Sequence, residues 1–431
     1  MLTSARPAGL DREQLRQRYL ANRARTADVF ALAEPAAYYD KPIPLRHPIV
    51  FYEGHIAAFS FRKLIREALA GAPLDAELER LFARGIDPAS TEEAARHGRA
   101  AWPARSQVQA FAASCDAAVL DAFAHAGLDD AVASPLLGRG EAAFTILEHE
   151  ELHHETLLYI LHRLPLERKQ KSGRGSAYIE REPLARGRVA VAAGSATLGA
   201  VPEGPGQAGA AFGWDNEFGE TRVDVRSFEI DVNDVTNEQW LAFVRDGGPL
   251  PPFWIARADG FALLGMFEVT PLPLSWPVYV TQSQAQAYAA WRGARLPTEA
   301  EYHRAAFGTP SGDERSFPWG EAAPARAHGN FDFARFDPEP VGQHVAGASA
   351  WGVHDLVGNG WEWTSTPFAP LPGFVPMASY PEYSADFFDG AHFIVKGASP
   401  VTGRHQLRRS FRNWYRADYP YVYATFRTVN D

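Results

Sequence analysis

The chain has 431 residues, with 42 Lys and Arg against 52 Asp and Glu, a formal charge of −10, and 46% of its residues are apolar or aromatic. This is the composition of a soluble globular protein with enough chain for two or three cored domains. The acidic balance and the lack of a Lys/Arg-rich run argue against nucleic acid, because phosphate-backbone binding depends on clustered cations. The first twenty residues hold no continuous apolar segment of about seven to fifteen residues, and nowhere do about eighteen apolar residues run uninterrupted. Neither a signal peptide nor a membrane span is expected. Cys115 is the only cysteine, which excludes an intrachain disulfide, a cysteine-rich zinc module and any mechanism using two protein thiols. A reducing cytoplasm is the natural setting.

In chain order, four long helical patterns come first. They run from Asp11, as N-cap, through Leu32, then over Pro48–Leu69, Ser106–His125 and Glu141–Leu164. Four such runs predict an antiparallel helix bundle over residues 1–165. Leu166–Gly175 is basic, polar and without apolar period, and opens a linker assigned to residues 166–180. Beyond it, over residues 181–431, glycine and proline become frequent, tryptophan recurs, and short β-like stretches such as Arg222–Ile230 alternate with turns. Two helices are expected there, over Thr236–Val244 and Ser283–Arg292, the first opened by an Asn/Asp/Thr-rich cap. The fold class is therefore α+β. The aromatic residues of this half are expected to fill a core poor in regular structure.

The most informative stretch is Glu148-His149-Glu150-Glu151-Leu152-His153-His154-Glu155, inside the fourth helical pattern. His149 and His153 are four apart, so on a helix their imidazoles lie one above the other and can converge on one ion. Glu155 is displaced around the helix, placed to hydrogen-bond a liganding imidazole or a bound substrate. A third ligand has to come from another helix, and His55, among apolar residues of the second pattern, is the candidate. The plain alternatives are a solvated helix face rich in His and Glu, and a satisfied core histidine at position 55. The stretch also fits H-E-x-x-H, the zinc-protease helix with Glu150 as general base. The extended form of that motif fails, because its glycine and third histidine positions hold Thr156 and Tyr159.

Taken together, these residues resemble the ergothioneine-biosynthesis sulfoxide synthases, which join a DinB-like helix bundle to a domain of the formylglycine-generating-enzyme, C-type-lectin-like kind. The family's HX3HXE motif is matched by His149, His153 and Glu155, and its upstream Gly-His by Gly54-His55. The second half carries further family phrases: Phe212-Gly213-Trp214-Asp215-Asn216-Glu217, Val235-Thr236-Asn237, Ala294-Arg295-Leu296-Pro297-Thr298-Glu299-Ala300-Glu301, Phe317-Pro318-Trp319-Gly320 and Gly358-Asn359-Gly360-Trp361-Glu362-Trp363-Thr364. Relatives that oxidise a sulfatase cysteine bind copper through protein cysteines, and Cys115 alone cannot supply the pair.

The resemblance implies a non-haem Fe(II) held by His55, His149 and His153, with Glu155 behind them, and O2 as co-substrate. It also implies a reaction that bonds sulfur or selenium to C2 of the imidazole of hercynine (trimethylhistidine), giving a sulfoxide or selenoxide, with a tyrosine as proton donor. Tyr383 is the first choice for that tyrosine and Tyr380 the second. Trp414, in an Arg-Asn-Trp segment with Asn413, is implied to hold the trimethylammonium by cation–π attraction, worth on the order of 1–2 kcal/mol when desolvated. Two departures concern the donor. Relatives using γ-glutamylcysteine place an acidic residue and an arginine where this chain has Tyr415 and Tyr419, and Leu152 stands where some relatives place glutamine. Flat rings suit an uncharged sugar face, and the phrase from Arg46 to His55 looks like the selenoneine synthases, so a selenosugar donor is expected, with cysteine or another small thiol as the alternative. A zinc hydrolase and a non-catalytic binding module remain as readings from other classes.

Overall fold

The computed structural model describes residues 10–83, 102–171, 178–182, 184, 186–201 and 212–431. The chain forms two compact units: Met1–Ser172 with Pro202–Phe212 and Met377–Pro381, and Gly173–Val201 with Gly213–Pro376 and Glu382–Asp431. The expected α+β class is found, with the first unit helical and the second rich in short sheets. Part of the expected linker, residues 172–177, lies outside the described residues. No helix among the described residues is long and apolar enough to cross a membrane.

The first unit contains α1 (Arg12–Phe30), α2 (Ile49–Ser60), α3 (Ala76–Leu81), α4 (Arg105–His125) and α5 (Glu141–His162). Asp11 caps α1 as its sequence suggests, its carboxylate accepting from the Gln14 amide at 3.0 Å. The single run expected over Pro48–Leu69 divides. It is α-helical to Ser60 and π-helical over Phe61–Ala68, where the Leu69 amide reaches five residues back to the Leu64 carbonyl. Every residue of α2 except Glu53 is buried, so this helix is the unit's central rod. The six-residue α3 is too short to show a period in the sequence. It is set by Asp75, whose side chain accepts from the amides of Glu77 and Leu78.

Buried acids on α5 are met by α1. Arg18 forms a two-pronged pair with Glu151, at 2.8 and 3.0 Å, and approaches Glu148 at 3.7 Å. Arg23 pairs with Glu150, and Thr26 donates to the same carboxylate at 2.5 Å. An acid-rich helix can be buried only because each charge finds a partner as it leaves water.

In the second unit the strands are β1 (Arg188–Val191), β2 (Gly194–Leu198), β3 (Thr221–Val225), β4 (Phe228–Asp231), β5 (Trp254–Arg257), β6 (Gly260–Leu264), β7 (Val269–Pro271), β8 (Gly360–Pro367), β9 (His392–Ala398), β10 (Asn413–Arg416), β11 (Ala424–Thr425) and β12 (Val429–Asn430). They form sheets of order β1-β4-β12, β10-β9-β8-β11, β2-β3 and β5-β6-β7. The stretch Arg222–Ile230 reads as one strand but is two: β3 pairs with β2, while β4 pairs with β1 and β12. The two expected helices are present as α6 (Asn237–Arg245) and α7 (Gln282–Trp291), opened by capping boxes at Thr236 and Thr281. A third, α8 (Glu299–Ala306), is capped the same way by Thr298 and Glu301.

Three of the phrases of this half each give a glutamate to an arginine near the end of the chain. Arg427 is fully buried and bonds Glu362 at 2.6 and 2.8 Å, Asp234 at 3.2 Å, and the carbonyls of Asp231, Val232 and His354. Arg412 grips Glu299 at 2.9 and 3.2 Å, and Arg408 bonds Glu217 at 2.7 Å. Asn359, in left-handed backbone at φ 67°, accepts from the Glu339 amide and donates to its carbonyl. Trp214, Trp240, Trp361 and Trp363 are among the largest fully buried side chains, in keeping with an irregular core filled by rings.

Lys396 of β9 is buried and donates to the carbonyls of Arg409 and Phe411. Burial pushes its ammonium down from about 10.5 to about 8. The unfolded chain therefore binds more protons than the folded one between these values, and stability rises with pH across the window. From pH 8 to 9.5 the gain is about 1.5 kcal/mol. Denaturant unfolding at both pH values should show it, and Lys396→Met should flatten it.

Candidate metal centre

The central helix α2 and the acid-rich α5 pack against each other, and between them His55, His149 and His153 come together. Their ring centroids lie 5.2, 5.0 and 4.4 Å apart. One nitrogen from each falls within 4.8 Å of the others. The Nε2 atoms of His149 and His153 face each other at 3.1 Å, about the spacing of two nitrogens bound side by side to one ion through bonds of about 2.1 Å.

Each ring is held by its surroundings. The Nδ1 of His55 lies 2.8 Å from the carbonyl of Phe82. A carbonyl only accepts, so Nδ1 carries the proton and Nε2 keeps its lone pair. Phe51 stacks on His55 at 4.9 Å, Phe59 stacks on His149 at 3.4 Å, and Tyr52 stands 5.7 Å from His153. Burial pushes the His55 imidazole down to about 4. Burial, and then the charges of neighbouring groups, hold His149 and His153 well below the usual range. All three are neutral at physiological pH, the form that ligates.

His55 Nε2 is buried without a hydrogen-bond partner among the described residues, and the Nε2 atoms of His149 and His153 face each other. A buried lone pair so placed costs about 1–3 kcal/mol unless a proton or a cation shares it. Three neutral imidazoles are a donor set that suits iron, copper, nickel or zinc. The residues present therefore fit a divalent transition metal.

The neighbouring polar groups of α5 face elsewhere. His154 Nε2 lies 2.8 Å from the Thr26 hydroxyl on α1, and Glu150 is occupied by Arg23 and Thr26. The glutamate of an H-E-x-x-H reading is thus bonded to α1, which removes the general base that a zinc hydrolase of that type requires. Glu155 is buried and Leu152 half-buried.

Tyr380 belongs to the short segment Met377–Pro381 that returns to the first unit. The Ser379 amide donates to Glu141 at 2.9 Å and its hydroxyl meets Thr145 at 2.9 Å, anchoring the segment on α5. The Tyr380 ring stands 5.2 Å from that of Phe59 and 6.2 Å from that of His149, with the Lys63 ammonium 5.4 Å from its centroid.

The other singled-out residues lie in the second unit. Tyr383 stacks on Trp214 at 3.9 Å and meets Trp414 edge-on at 5.3 Å. Trp414 lies parallel to Phe368 at 4.2 Å. Asn413 donates to the Tyr415 hydroxyl at 3.1 Å, and the rings of Tyr415 and Tyr419 are parallel at 6.1 Å. Sequence reasoning missed Phe59, whose position four residues after His55 on α2 was a usable signal. It also missed Phe82, for which the sequence offers none.

Comparison with known proteins accords with this architecture. Residues 18–157 match the DinB superfamily and residues 177–431 the sulfatase-modifying factor enzyme 1-like domain. The hercynine oxygenase of Mycolicibacterium thermoresistibile is 35% identical, over 94% of this chain and 91% of its own. That of Mycobacterium tuberculosis is 33% identical, over 97% and 98%. Ergothioneine biosynthesis protein 1 of Neurospora crassa is 26% identical, over 91% of this chain and 55% of its own. A DinB-type helical unit followed by a sulfatase-modifying-factor-type unit defines the class. Within it, the chain belongs to the ergothioneine-biosynthesis-type family that includes the hercynine oxygenases.

Elemental analysis of protein loaded with Fe(II) and desalted should find one metal ion per chain. His149→Ala or His153→Ala should reduce this at least tenfold. His154→Ala should keep the metal and lose about 1 kcal/mol of stability with its bond to Thr26.

Proposed function

We propose that this chain is a non-haem iron oxygenase that acts on hercynine and joins a chalcogen to C2 of its imidazole. The observation that carries this reading is the trio of neutral imidazoles packed between α2 and α5, in a chain whose relatives of nearly equal length are hercynine oxygenases. In this reading residues 1–165 form the unit that holds the metal, residues 166–180 a linker, and residues 181–431 the sulfatase-modifying-factor-type unit. His55, His149 and His153 hold Fe(II), which when bound supplies dioxygen activation for forming the new bond. Glu155 stands behind them, beside the liganding helix face.

Tyr380 is proposed as the proton donor, ahead of Tyr383, because its ring stands against Phe59 and His149 in the same unit. Trp414, already fixed by Phe368 and Tyr383, offers an indole to the trimethylammonium of hercynine, with Asn413 beside it. For the donor we propose a selenosugar. The parallel rings of Tyr415 and Tyr419 present flat apolar surface where a charged peptide would require an acid and an arginine, and Leu152 adds no polar group. A thiol such as cysteine is the second reading, favoured by the likeness to an ergothioneine biosynthesis protein.

The test is incubation of the Fe(II)-loaded chain with hercynine, O2 and a panel of selenosugars and thiols, with products identified by mass. A selenium adduct formed in preference to any sulfur adduct is the expected result. Preference for cysteine or γ-glutamylcysteine replaces the selenosugar reading with the thiol one, and consumption of neither hercynine nor O2 overturns the function. Tyr380→Phe should lower the turnover of adduct formation by about 10²-fold or more while leaving hercynine affinity within a few fold. Trp414→Ala should raise the KM for hercynine about tenfold, the size of a 1–2 kcal/mol cation–π contact.

A further inference from the structure

We infer that Phe82 is a positioning residue for His55, and that Gly54 is glycine so that Phe82 can occupy its place. The inference rests on the reading of His55 as a metal ligand and concerns what aims it. Phe82 is the residue at which α3 ends. Its amide closes the last turn on the Leu78 carbonyl at 3.0 Å, and its own carbonyl, one of those a helix end leaves without an internal partner, accepts from His55 Nδ1 at 2.8 Å. That bond selects one tautomer and one ring orientation: the proton on Nδ1, the lone pair on Nε2, and Nε2 toward His149 and His153.

What holds the carbonyl there is the side chain of the same residue. The Phe82 ring is fully buried, with Phe111, Trp102 and Phe51 around it at centroid distances of 6.0, 6.3 and 6.4 Å. Its outer edge lies over Gly54, where a Cβ would stand 2.5 Å from three of its carbons. Real Cβ atoms do not approach so closely, and a ring wedged among three other aromatics has little room to withdraw. Residue 54 therefore controls residue 55 through α3. A methyl group at 54 lifts the ring, the ring carries the helix end with it, and the carbonyl leaves Nδ1.

Three measurements test this. In metal-free, 15N-histidine-labelled protein, with His55→Gln identifying the resonances, His55 should carry its proton on Nδ1. Cobalt(II), titrated by its visible absorption, should bind Gly54→Ala ten- to a hundredfold more weakly than the wild type. In a Phe82→Ala background, where the ring is gone, adding Gly54→Ala should change Co(II) affinity by less than twofold. A His55 proton on Nε2 in the wild type overturns the inference, whether or not the variants fold. So does a Gly54→Ala effect of equal size in both backgrounds, or no effect in either. Failure of the wild type to bind Co(II) instead overturns the metal reading, and the tautomer measurement still decides the role of Phe82.

Discussion

Three imidazoles packed against one another are the constraint around which the helical unit is built. Left alone they are a liability, since each unpaired buried nitrogen carries a desolvation cost. Charging them is no escape, because burial already drives His55 down to about 4. An arrangement of this kind is maintained when a cation accepts the lone pairs, and then the same burial becomes useful. It keeps the imidazoles neutral. The chain separates this neutral face of α5 from its acidic faces with care: Glu148, Glu150 and Glu151 are neutralised by Arg18 and Arg23 of α1, while His149 and His153 see Phe59 and Tyr52.

The second unit solves a different problem. Its sheets have two to four strands, too small to bury a large face by themselves. Arginines of the last segment replace what regular pairing lacks. Arg408, Arg412 and Arg427 each tie a glutamate from a distant phrase, Glu217, Glu299 and Glu362. A guanidinium with several donors can satisfy a carboxylate and nearby carbonyls at once, as Arg427 does with the carbonyls of Asp231, Val232 and His354. Three of the short phrases that made the family recognisable thus each supply the carboxylate of one of these pairs.

Much of this was legible in the amino acids. The long helices follow from their 3.6-residue period and from caps such as Asp11, and the pairing of His149 with His153 follows from a spacing of four. The convergence of His55 needed a guess about which helix faces α5, guided by a polar ring among apolar neighbours. Other features leave no local mark. A six-residue α3 is below the length at which periodicity speaks, and its carbonyl acts through a backbone atom that every residue possesses. The return of Met377–Pro381 to the helical unit depends on hydrogen bonds from Ser379 to Glu141 and Thr145 across more than 230 residues. The break between β3 and β4 is a change of sheet partner within one continuous β-like stretch. These are tertiary choices, and pattern reasoning reaches them only through a known relative.

The most direct measurement is X-ray absorption at the iron edge of the Fe(II)-loaded chain, where multiple scattering from imidazole rings counts the histidines bound. Three imidazoles are expected in the wild type and two in His55→Ala. One imidazole, none, or an unchanged count in His55→Ala would contradict the three-histidine reading.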